Sequence, residues 1–185
     1  MIDYAAIFKA ITSDPRYLAN LDWGEPRPGH PEGIIRAHIA ELESNLATLR
    51  PMLADDEYWK LKLLIHCHDT FKADAQPGVP IDHPRSHASL AQAFLATHCA
   101  EPDLLAMVQF HDEPYALYRQ FERKGQHSVD RFNALLLAIR DWNLFLAFAI
   151  IDGCTTGKSR EPLRWLFHEI RGKVDSGFTE ANILP

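Results

Sequence analysis

Ten histidines in a 185-residue chain are the feature of this sequence that most suggests chemistry. Most fall in helix-like, apolar surroundings, where an unpaired imidazole is costly, so they invite a metal. The doublet His-Asp occurs twice, at 68–69 and 111–112, where chance predicts about 0.8 occurrences. The first doublet is distinguished by its context, because it ends the run Leu61-Lys62-Leu63-Leu64-Ile65-His66-Cys67. An imidazole and a carboxylate thus emerge together at the exit of a buried helix. Adjacent residues point in different directions, yet at a helix end both reach one metal ion or two neighbouring ions.

The elements that must hold such a centre are helical. Leu and Ala number 22 each against four Val, and no long alternation of apolar and polar residues occurs. The sequence predicts an all-α fold of one domain over 1–185, at roughly 150 residues per domain. Helices are expected at about 3–11 and 15–22, the second capped by Asp14 with Pro15 in its first turn. Residues 24–33 hold three prolines and three glycines and cannot continue a helix. Ile35, Ile39, Leu42, Leu46 and Leu49 then form one apolar stripe of a helix over 34–50, with His38 beside it. Further helices are expected at 56–71, 86–99, 102–112 and 114–124, the last stopped by Gly125. Ser128 is expected to cap one long helix over 129–152, and a C-terminal helix is expected at about 161–174.

The charge balance, 19 basic against 25 acidic residues for a net −6, disfavours nucleic acid and anionic lipid as partners. Cys67, Cys99 and Cys154 contain no C-x-x-C pair and are read as buried or idle thiols of a reducing compartment. No secretory leader pattern opens the chain, and Arg140 and Asp141 interrupt its most apolar stretch, leaving ten uncharged residues after them. A cytoplasmic location and no membrane are expected.

The string His30-Pro31-Glu32-Gly33, then His38, then Leu63 to Lys72, resembles the HD superfamily of metal-dependent phosphohydrolases, and its opening looks like the HD domain attached to some bacterial tRNA nucleotidyltransferases. The resemblance covers about residues 28–152. It implies an HD-type helical bundle in which His38, His68, Asp69 and a distant Asp ligate metal, with Lys72 three residues after the doublet. Asp152, closing Phe148-Ala149-Ile150-Ile151, is the candidate for the distant Asp. His87 and His111 stand where members with two metals place two further histidines. The ligands after Asp69 follow at intervals of 18, 24 and 41 residues. Thr70-Phe71 replaces the usual Gly-containing spacing. Lys72 stands where the nucleoside-monophosphate phosphatase branch has Glu, which argues against a 5′-nucleotidase.

Four imidazoles and two carboxylates suit Mn, Fe, Co, Ni or Zn better than Ca or Mg. Two such ions roughly 3.5–4 Å apart can share a bridging carboxylate, here Asp69, and supply a hydroxide for in-line attack on phosphorus. Lys72 is expected to hold a phosphoryl oxygen. Arg85, Lys158 and Arg160 are candidates for the rest of the phosphate rim. The expected activity is hydrolysis of a phosphate monoester or diester of a small molecule, a nucleotide by family analogy. The alternatives are a di-iron oxygenase of the same fold and a silent metal-binding regulatory module. Self-association stays open. His66, His83 and His30 are read as non-ligands, Asp112 as either a general acid, a substrate contact or an exposed helix-end residue, and His98, His127 and His168 as packing or surface residues.

Overall fold

In a computed structural model, which describes residues 2–185, the chain forms an all-α bundle, with no sheet among the described residues. The helices are α1 (Tyr4–Thr12), α2 (Pro15–Asn20), α3 (Ile35–Leu49), α4 (Asp55–Cys67), α5 (His87–Ala96), α6 (Pro102–Phe110), α7 (Glu113–Lys124), α8 (Val129–Ala138), α9 (Trp142–Gly153) and α10 (Glu161–Glu169). α4 and α9 form the centre. Leu61, Leu63, Leu64 and Ile65 of α4, and Leu144, Phe145, Leu146, Phe148, Ile150 and Ile151 of α9, are buried. α4 packs against α1, α3, α5, α6 and α9, which is why its second half is buried on nearly every side while its first turn is acidic.

Helix ends follow local chemistry. The Asp14 carboxylate accepts the Arg16 N–H at 2.8 Å with Pro15 in the first turn of α2, and Gly125 ends α7 at φ 68°. The predicted helix over 129–152 is corrected to two helices, α8 and α9, meeting at a bend of 114°. Asp141 caps α9 through Leu144 N–H at 2.9 Å, while both Asp103 carboxylate oxygens accept N–H groups in the break, from Arg140 at 2.9 Å and Asp141 at 3.0 Å. α4 stops at Cys67 rather than 71, and α10 at Glu169 rather than 174, each passing into turns.

The loop over 24–33 folds back so closely that a Cβ on Gly24 would stand 2.4 Å from Gly33 O. No single helix among the described residues is long and apolar enough to cross a membrane. Cys67, Cys99 and Cys154 are buried and unpaired, and burial raises the Cys67 thiol pKa.

Candidate metal centre

Six side chains from five separate helices or helix ends converge under the centre of the bundle. His38 lies in the first turn of α3, His68 caps the end of α4 with Asp69 next to it, His87 opens α5, His111 caps the end of α6, and Asp152 lies in the last turn of α9. Helix ends suit this task, because side chains there project past the last turn into a shared space.

Asp69 divides that space into two halves. Its Oδ2 lies 3.5 Å from His68 Nε2 and 3.9 Å from His38 Nε2, while its Oδ1 lies 3.4 Å from His111 Nε2 and 3.8 Å from His87 Nε2. In the first half Asp152 Oδ1 stands 3.2 Å from His38 Nε2 and 3.8 Å from His68 Nε2. In the second, His87 Nε2 and His111 Nε2 are 3.2 Å apart. Ligand atoms about 2.0–2.2 Å from one ion lie about 3.0–3.5 Å from each other across a tetrahedral or octahedral edge, close to the spacing seen in both halves. Each half can therefore hold a metal ion.

Two atoms support that fit directly. His68 Nε2 and Asp69 Oδ1 are buried without any hydrogen-bond partner, which is costly unless something else occupies the space they face. The opposite ring nitrogens are anchored: His68 Nδ1 lies 3.1 Å from Ile65 O, and His111 Nδ1 lies 2.7 Å from Val108 O. Donation from Nδ1 to these carbonyls leaves the Nε2 lone pairs free for a metal. Glu32 Oε1 accepts from His30 Nδ1 at 2.9 Å and lies 2.9 Å from His38 Nδ1, which has no hydrogen-bond partner among the described residues, so His30, Glu32 and His38 form a further group able to hold an ion.

The electrostatics of the two halves differ. Burial lowers His68 to about 3, so this imidazole is neutral and ready to ligate. Burial also works against the charged form of His111, but Asp112 and Asp69 beside it push it up to about 9. A cation entering that half takes the place of a proton. Burial would raise Asp69, yet the Lys72 ammonium beside it holds it well below the usual carboxylate range; Lys158 and a hydrogen bond with His38 do the same for Asp152.

The other predicted residues divide clearly. Lys72 sits in the turn after α4 rather than on its next helical turn, and pairs with Asp69. Lys158 Nζ lies 2.7 Å from Asp152 Oδ1. Arg85 is not brought to the centre: its side chain is exposed and lines neither of the two adjoining cavities. Arg160 is corrected from a phosphate ligand to a structural tie, since its guanidinium donates to the carbonyls of Gly153, Cys154, Thr155, Lys158, Leu184 and Pro185. His66 points away as expected, its Nδ1 2.6 Å from Tyr17 Oη and its Nε2 2.8 Å from Glu43 Oε1.

Two cavities open beside the centre. One of about 690 Å³ is walled by Tyr115, Tyr118 and Arg119 of α7 and reaches Lys72, Asp152 and Lys158. The other, about 450 Å³, reaches Lys72, His87 and Asp112. The α7 wall is not read from the sequence, and Glu32 stands there only within the resembling string, without a role. Glu32 lies six residues before His38 in an irregular loop, a spacing that no helical periodicity connects. Comparison with protein-family models, with curated proteins and with solved structures finds no match, so the chemistry of the centre rests on its geometry.

Proposed function

We propose that the chain is an HD-type metal-dependent phosphohydrolase holding two divalent ions and cleaving a phosphate monoester or diester of a small molecule. The observation that carries this reading is Asp69, whose two carboxylate oxygens face two different pairs of imidazole nitrogens. Divalent ions held in this way provide hydroxide near neutral pH and polarise a phosphoryl oxygen. His38, His68 and Asp152 would hold one ion, His87 and His111 the other, with Asp69 shared.

The remaining work falls to the chain's own side chains. Lys72 borders both cavities, where its ammonium would bind a phosphoryl oxygen and offset charge gained in the transition state. Lys158 would act on the opposite side, next to Asp152. A cleft of about 690 Å³ falls within the range of small-molecule sites, and Tyr115 and Tyr118 offer it aromatic surface. A nucleotide fits that combination of cationic floor and aromatic wall, whereas the net charge of −6 favours a small anion over nucleic acid.

The test is elemental analysis of protein purified without chelator, followed by turnover on phosphate monoesters and diesters. Close to two ions per chain with metal-dependent phosphate release is the expected result. Iron with oxygen-dependent turnover and no phosphate release would overturn the hydrolase in favour of an oxygenase. Two ions with no turnover on any substrate would favour a regulatory module.

A further inference from the structure

Asp112 begins α7 but does not behave as a helix cap. An Asp at this position ordinarily adopts extended backbone and accepts an N–H from the first turn. Here φ is −86° and ψ −9°, and the carboxylate caps nothing. It turns instead into the second half of the metal centre, with Oδ2 3.1 Å from His87 Nε2 and Oδ1 3.7 Å from His111 Nε2.

The lengths match those at the other end, where the single oxygen Asp152 Oδ1 stands 3.2 Å from His38 Nε2 and 3.8 Å from His68 Nε2, but Asp112 presents a different oxygen to each imidazole, so a small rotation of its carboxylate would be needed to bind one ion. A second, independent feature of the same half is Asp69 Oδ1, buried and without a hydrogen-bond partner, aimed at His111 and His87. Without Asp112 the second half offers two imidazoles and one carboxylate oxygen. With it, both halves present two imidazoles, one terminal carboxylate and one oxygen of Asp69.

We infer that Asp112 is a seventh protein ligand, terminal on the ion held by His87 and His111. This rests on the metal-centre reading above. The site is then nearly symmetric in donor type, built on the two His-Asp doublets 68–69 and 111–112, but with the doublets used differently: Asp69 is shared, Asp112 is terminal. The halves differ in access. The Asp112 side chain is 43% exposed and His87 21%, with His111 at 1%, against 24% for Asp152, 4% for His38 and 1% for His68, so the ion at the Asp112 end is the more open of the two to solvent. A terminal carboxylate on that ion also lowers its net charge, favouring exchange of an anionic product.

The experiment uses the full chain, stripped with chelator and titrated with CoCl₂, following heat and the visible cobalt spectrum. Wild type should bind two ions. Asp112→Asn keeps the volume and should retain one ion at wild-type affinity while the other weakens about 10–100-fold or more, with a changed spectrum for that ion alone. His87→Ala should weaken the same ion, and Asp112→Glu should recover part of the loss. An Asp112→Asn isotherm and spectrum identical to wild type would overturn the inference, and if turnover nevertheless fell, Asp112 would be a proton donor and not a ligand. Wild type that binds no cobalt would overturn the metal reading itself.

Discussion

Lys158 Nζ lies 2.7 Å from Asp152 Oδ1, the same oxygen that stands 3.2 Å from His38 Nε2. A lysine and a metal ion therefore compete for one oxygen. In the metal-free protein the ammonium neutralises a half-buried carboxylate whose other close partners are imidazoles. With an ion in place it becomes a second positive charge beside the first. Lys158→Met should lower the stability of the chelated protein by about 1–3 kcal/mol, yet bind metal more tightly than wild type. Thermal unfolding with chelator and with excess metal checks both signs. A metal-induced rise in Tm no larger than that of wild type would rule out the competition.

Asp69 serves both halves of the centre, so its loss should differ in kind from the loss of any histidine. Asp69→Asn should hold neither ion at wild-type affinity and show no turnover, while far-UV circular dichroism stays close to wild type. His68→Ala and His111→Ala should each weaken mainly one ion. Elemental analysis after dialysis separates the cases, and unchanged metal content in Asp69→Asn would remove it from the ligand set.

Lys72 carries a different expectation, because its role in the proposed reaction lies in the transition state. Lys72→Ala should keep its metal and lower kcat by a factor on the order of 10²–10³, with a smaller change in KM. The ammonium also neutralises Asp69, so metal content must be measured in the same preparation. Loss of metal in step with loss of turnover would mean that Lys72 supports Asp69 and not the reacting phosphate.

The sequence made the bundle legible because apolar stripes are local signals. Ile35 to Leu49 and the run into His68 each announce a helix and its buried face. The gathering of His38, His68, Asp69, His87, His111 and Asp152 came through resemblance, since no periodicity links side chains from five elements. Asp112 was harder: it looks like an ordinary helix-start carboxylate, and only its backbone angles and its two close imidazoles reveal another use. Arg160 failed for the opposite reason. A basic residue after a candidate ligand suggests phosphate, but here six carbonyls of the adjoining loop and the C-terminal residues occupy its guanidinium.

Glu43 lies outside the centre and gives a pH signature of its own. Burial would raise its carboxyl, but His66 and Lys62 hold it below the ordinary value of 4.5. A folded pKa below the unfolded one contributes stability that is fully present above the unfolded value and is lost as pH falls through the folded value. The stability gap between wild type and Glu43→Gln should therefore be full at pH 6–7 and close from about pH 5 downward. Urea unfolding across that range measures it, and a gap independent of pH would show that charge at Glu43 contributes nothing.

The break between α8 and α9 is the largest departure from the helix that the sequence suggested, and it has a removable cause. Ile139 N–H still bonds Leu135 O, but the N–H groups of Arg140 and Asp141 have no helical partner, and Asp103, 37 residues before Arg140 on α6, accepts both at 2.9 and 3.0 Å. Asp141 then caps α9 on the far side of the bend. A continuous helix would satisfy these groups itself and would have no use for Asp103. Asp103→Ala should therefore cost about 1–2 kcal/mol, a fall in Tm of about 2–8 °C for a chain of this size, since both donors lose a charged acceptor. Metal content should not change, because Asp152 lies at the other end of α9, held by the buried Phe145, Phe148 and Ile151. Unaltered stability in this variant would mean that packing around Ile139 and Trp142 holds the bend without Asp103.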